Sequence, residues 1–134
     1  MSAGEVETRA ASYSGTWSWG TPDLGGCRLL VRDDAAGTFF RLECRAGPPS
    51  RASGVLSGRL ELSEGKARFR LNSAEHTCEL FFRFGDSKAL VEQHGDLTPF
   101  GFGHGLSANG VYKRTDRDVP REVSEAAQTG RSVE

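Results

Sequence analysis

From Tyr13 to Thr115 apolar residues alternate with polar ones, and the alternating stretches are separated by short segments rich in Gly, Asp, Ser and Asn. A period of two marks a strand with one buried face, because successive side chains on a pleated backbone point to opposite sides. The pattern predicts strands near residues 13–19, 27–33, 38–45, 55–63, 66–72, 77–84, 88–94, 100–107 and 111–115. Residues 1–12 are polar and read as a flexible lead-in, 13–115 as one β domain, and 116–134 as a polar, largely disordered tail in which Asp118 and Pro120 could start a short helix.

The order of apolar positions also predicts how the strands pair. With Ala35 and Ala36 as a two-residue loop, Cys27 falls opposite Cys44, Leu29 opposite Leu42 and Val31 opposite Phe40, while Arg28 meets Glu43 on the other face. A loop at Glu64 and Gly65 sets Leu60 against Phe69 and Glu61 against Arg68, and a turn at GDSK (85–88) sets Phe82 against Val91. A fourth hairpin is expected at Asn109 and Gly110, a dipeptide suited to two positive φ angles. Consecutive hairpins with one apolar face form an up-and-down antiparallel meander. Such a sheet must close or stack to bury that face, so a small barrel of eight to nine strands is expected, closed by the strand of Tyr112 against that of Trp17, with a β-sandwich as the alternative.

Three segments, YSGTWSWG (13–20), ASGVLSGR (52–59) and SANGVYKR (107–114), share the order Gly, any residue, large apolar residue. Glycine supplying a turn or bulge at the start of a strand explains this without internal duplication.

Chemistry changes the picture less. The formal charge is -1, so no strong field draws the chain to nucleic acid or anionic lipid, and no apolar run approaches the length of a membrane span. Opposed cysteines on neighbouring strands make a Cys27–Cys44 disulfide the expected state, the alternative being two touching thiols. His76 and Cys78 share a strand face but lack a third ligand, so no metal site is expected, and no cofactor motif occurs. In PFGFGHGLSANG (99–110) glycines alternate with Phe100, Phe102 and His104. Without a helix to follow, this reads as a strand bent at a barrel corner, not as a phosphate loop. There is no GxSxG, HExxH or CxxC, and the chain is read as a non-enzyme.

The order HTCELFFRF, VEQHG, GFGHG and ANGVYKR, preceded by FRLEC, GPPSRASG and LSGRLEL, resembles small exported bacterial proteins of uncharacterised function that carry a GFGHG-like stretch followed by ADGTY-like residues. In size and barrel-like design these look broadly like the periplasmic lysozyme inhibitors. The resemblance implies a second disulfide from a cysteine before GFGHG to the one matching Cys78. Here Phe100 stands near that place and Cys78 has no such partner.

These readings lead to a binding protein of the bacterial cell envelope, an inhibitor or immunity-type partner of a cell-wall hydrolase, with His104, Arg41, Arg68, Arg70 and Arg83 meeting an acidic cleft. The alternatives are a calycin-like barrel in which Tyr13, Trp17, Trp19, Phe40, Phe69, Phe82 and Phe102 line a pocket for a small apolar ligand, and a small barrel cyclase. MSAGEVETRAAS lacks the basic and apolar segments of a secretory signal, so the chain is either a mature periplasmic or secreted form or a cytoplasmic protein.

Overall fold

A computed structural model of the chain describes residues 12–21, 23–73 and 75–123. The rest of the lead-in and the tail beyond Val123 lie outside the described residues. Eight antiparallel strands, β1 (Gly15–Thr21), β2 (Gly25–Asp34), β3 (Gly37–Ala46), β4 (Ser53–Leu60), β5 (Lys66–Asn72), β6 (Thr77–Phe84), β7 (Lys88–His94) and β8 (Gly110–Asp116), form one sheet in the order β4-β3-β2-β1-β8-β7-β6-β5. The first and last strands pair, with Trp17 opposite Arg114, and the sheet curls into a nearly closed barrel rather than a sandwich.

Two hairpins have the registers the sequence predicts. Cys27 faces Cys44, Leu29 faces Leu42 and Val31 faces Phe40; across the third turn Phe82 faces Val91 and Phe84 faces Ala89. Cys44 directs its main-chain bonds toward β4, as the hydrogen-bonded Ala46–Ala52 pair two residues away requires, so it meets Cys27 across the narrow type of pair. The two Cα atoms are 4.1 Å apart and the sulfurs are joined in a disulfide.

The hairpin at Glu64 and Gly65 is only half right. Both turn residues have positive φ, 53° and 79°, and Ser63 pairs Lys66, but the ladder stops there and β4 parts from β5. Continuing the register would set Arg59 against Arg70 on the outside, a like-charge pair. On the inside, the Phe69 ring lies against the Gly58 backbone, where an added Cβ would come within 2.5 Å of it, and so wedges the strands apart. The gap between β4 and β5 is the seam of the barrel.

The fourth hairpin and the strand expected at 100–107 do not form. Thr98–Phe100 is a single 3-10 turn, Gly101 and Gly105 take positive φ, and neither Asn109 nor Gly110 does. Gly110 instead opens β8 and pairs with Val91. The reason is Gln93: its N–H donates to Asn109 Oδ1 (2.6 Å) and its side-chain Oε1 accepts from Ala108 N–H (2.8 Å), so side-chain bonds replace the ladder where a tight turn was expected. Phe102 still turns inward, lying on Gly54 so closely that no Cβ would fit there.

The glycine repeat has a structural meaning at two of its three sites. Trp17 Nε1–H donates to Tyr13 O (3.2 Å) and Tyr112 O–H donates to Ala108 O (2.7 Å), each tethering a buried ring to the main chain four residues upstream across the intervening glycine. At the third site the ring's place is taken by Leu56.

Candidate interaction surface

The net charge of -1 hides a segregation. The strands carry twelve of the seventeen basic residues but six of the eighteen acidic ones, so the walls of the barrel are basic while the loops and terminal segments are acidic. The alternation that buries Ala67, Phe69 and Leu71 of β5 turns Lys66, Arg68 and Arg70 outward, all exposed. On β6 the outward positions are Glu79, Phe81 and Arg83, and on β7 they are Lys88, Leu90 and Glu92. Register brings these into rows, Lys66 beside Arg83, Arg83 beside Leu90, Leu90 beside Val111, and Lys88 beside Lys113. Six cations thus surround an apolar strip of Phe81, Leu90 and Val111, the last 55% exposed.

Few carboxylates answer them. Glu79 accepts from Arg70 Nε (2.9 Å) and lies 3.6 Å from Arg68, while Glu92 is 3.6 Å from His94. Arg83 has no ion pair among the described residues. Arg68 stands over the Phe81 ring at 6.0 Å, and His94 meets the same ring edge-on. Between these side chains runs a groove of about 480 Å³ lined by Lys66, Arg68, Phe81, Arg83 and Leu90, with Glu61 and Glu92 as its carboxylates.

The structure therefore brings Arg68, Arg70 and Arg83 onto one face and separates them from Arg41 and His104. Arg41 is on β3, where Glu43 accepts from both Arg41 Nε (2.6 Å) and Arg28 (2.8 Å). Burial pushes the Glu43 carboxyl up, but these two guanidinium bonds outweigh it and hold its pKa below the ordinary value. Arg41 is thus already matched within the protein. His104 lies in the β7–β8 connection, exposed, where its charge and that of His76 help lower the Asp96 pKa, after the larger effect of hydrogen bonds from Thr98.

Of the aromatic residues expected to line a pocket, Trp17, Phe40, Phe69, Phe82 and Phe102 are buried in the core. The Phe40 ring centre is 4.9 Å from that of Phe69 and 5.3 Å from that of Phe82, and half-buried Tyr13 stacks on Phe84 at 5.2 Å. Trp19 stands apart at 36% exposure, its ring against Gly110. The Cys78 thiol is buried, and burial, then Asp96 and Glu79, push its pKa to about 11, which leaves it protonated and a poor nucleophile.

Sequence reasoning missed Lys66, Lys88 and Lys113 as members of the face. Parity along β5 and β7 was signal enough for the first two, whereas the misplaced fourth hairpin hid the pairing of Lys88 with Lys113. It also missed Arg114, half-buried at the barrel end, whose guanidinium donates to the carbonyls of Ser12, Ser14 and Asp86.

The chain is a disulfide-bonded antiparallel β-barrel with a basic outer wall. No protein-family model matches it, and comparison with curated proteins and with solved structures finds no match. Among the described residues no helix is long and apolar enough to cross a membrane.

Proposed function

We propose that this protein is a non-catalytic binding protein of the bacterial cell envelope, an inhibitor or immunity-type partner of a cell-wall hydrolase, and that the outer face of β5, β6, β7 and β8 makes the contact. The observation that carries the reading is the arrangement of Lys66, Arg68, Arg70, Arg83, Lys88 and Lys113 around Phe81, Leu90 and Val111, with Glu61, Glu79 and Glu92 as the carboxylates among them. An apolar centre with arginines about it is the make-up of an interface that excludes water and selects an acidic partner. Hydrolases of glycan strands work with paired carboxylates in a cleft, and guanidinium forks match carboxylates in two-point geometry. The disulfide supports an oxidising compartment, periplasmic or extracellular. The reading of a container for an apolar ligand, or of a barrel cyclase, draws less support, because Phe40, Phe69 and Phe82 spend their surface on one another.

The test is inhibition of peptidoglycan breakdown by purified glycosidases and amidases of the envelope. Inhibition at near-stoichiometric protein is expected, weakened at least about tenfold in the Arg68→Glu/Arg83→Glu double variant, as loss of two central arginine contacts would give. Arg41→Glu, on another wall, should inhibit like the parent. Undiminished hydrolysis across both enzyme classes would reject the reading.

A further inference from the structure

Among the described residues the seam leaves the edge of β5 without a partner in the sheet, and this edge borders the basic face. Main-chain direction along β5 follows from its bonds: Phe84 N–H donates to Gly65 O, and Ser73 N–H donates to His76 O, so the alternate residues Ala67, Phe69 and Leu71 bond to β6. Arg68, Arg70 and Asn72 therefore turn their N–H and C=O groups toward the seam. Lys66, of the same parity, already spends its groups on Ser63, and on the facing strand Ser53 O accepts from Gly103 N–H (3.1 Å). The seam is thus pinned at one end by Ser63 and Lys66 and capped at the other by the 101–109 connection, and among the described residues no main-chain bond fills the edge of β5 between them.

We propose that this edge receives an extended acidic segment of the partner, which adds to β5 as an antiparallel strand. The inference rests on the binding function proposed above and names the part of the partner that is recognised. Main-chain groups of Arg68, Arg70 and Asn72 would supply the ladder, as in other cases of strand addition. Carboxylates at alternate positions of the incoming strand would stand beside the outward side chains of Arg68 and Arg70, which share one ion-pair partner, Glu79, among the described residues. An apolar residue near its end would enter the cleft of about 460 Å³ formed by Val55, Leu56, Leu71, Pro99 and Phe100 at the capped end of the seam. Charge selects the occupant. A second copy of this chain would set its own Arg68 and Arg70 against these, which is how exposed edges resist self-pairing.

The probe is a heptapeptide of alternating glutamate and valine, compared with a peptide of the same composition in two blocks. Binding of the alternating peptide is followed by amide hydrogen exchange, and slowed exchange at Arg68, Arg70 and Asn72 is expected. Arg70→Ala and Arg70→Pro both remove the charge, but only the proline removes the seam-facing N–H, at an edge position where proline is tolerated. Arg70→Pro should bind at least about tenfold more weakly than Arg70→Ala, with an unchanged circular dichroism spectrum. Arg68→Pro against Arg68→Ala repeats the comparison should the first variant fail to fold. Equal binding of both peptides, or equal loss in the alanine and proline variants, would overturn strand addition while leaving hydrolase inhibition through the outer face untouched. Edge amides already slow in the free protein would overturn it too, whether dilution frees them, marking a second copy, or removal of residues 1–11, where Glu5 and Glu7 alternate with Val6, does so.

Discussion

The guanidinium of Arg114 lies 4.7 Å above the ring of Trp17, and the two residues face each other across the β1–β8 pairing that closes the barrel. Arg114 also donates to Ser14 O at 2.6 Å, Ser12 O at 3.0 Å and Asp86 O at 2.9 Å, so one side chain ties together the segment leading into β1, β8 and the β6–β7 turn. Arg114→Ala should destabilise the protein by about 2–3 kcal/mol, in keeping with loss of charged hydrogen bonds that leave carbonyls unpaired. Arg114→Lys should recover only part of this, because an ammonium lacks the planar fork that reaches several carbonyls at once. Urea unfolding at constant m-value measures both.

Gly58 is required by Phe69 rather than by its own backbone angle. A Cβ at this position would come within 2.5 Å of the ring, so Gly58→Ala should cost about 1–3 kcal/mol through overpacking. Combining it with Phe69→Leu should cost less than the sum of the two single changes, and a double-mutant cycle by thermal or urea unfolding reads that coupling.

The Cys27–Cys44 bridge closes a separation of 17 residues within one hairpin. Its replacement by Cys27→Ala/Cys44→Ala should cost about 3 kcal/mol, the chain-entropy value for a loop of this size. Reduction of the parent protein should lower the urea midpoint to match, without changing the strand content seen by circular dichroism.

Stability should fall on acidification partly through Glu43. Its pKa is lower in the folded protein than in the unfolded chain, so the carboxylate contributes stability above the unfolded value. That contribution fades as pH drops below about 4.3, the ordinary glutamate range, and is gone below the lowered folded value. Because the pair is partly solvated the contribution is about 1 kcal/mol or less. Glu43→Gln should flatten this part of the acid limb in a pH series of unfolding midpoints, and a limb identical to the parent's would remove Glu43 from the account.

What could be read from the sequence was whatever parity and loop length determine together. In the Cys27–Cys44 hairpin and across the GDSK turn, one register kept the rows of Cys27, Leu29 and Val31 and of Phe82 and Phe84 inward, and a slip would have turned each row to solvent. The same logic placed Arg68, Arg70 and Arg83 outward, and so much of the candidate face was visible. It failed where a particular contact, rather than parity, decides the outcome. The wedge of Phe69 on Gly58 opens the seam, although the turn at Glu64 and Gly65 forms as expected. The main-chain N–H of Gln93 donates to the Asn109 side chain and its side-chain oxygen accepts from Ala108 N–H, which overrides the turn preference of Asn-Gly and leaves 101–109 as a connection. These contacts have no period in the sequence to announce them. The edge proposed to receive a partner was hidden for the same reason.

Because the seam falls midway along the chain, the barrel is two covers of a book, residues 15–60 and 66–116, each a run of strands that pair with their neighbours in sequence. The spine is the link at 61–65, and the clasp is β1 on β8, the pairing that spans nearly the whole described chain. Closing it requires the largest loop, so it should form after the covers and break before them. We expect substitutions at Arg114 to speed unfolding while leaving the folding rate nearly unchanged in a chevron plot, whereas changes within the Cys27–Cys44 hairpin slow folding itself.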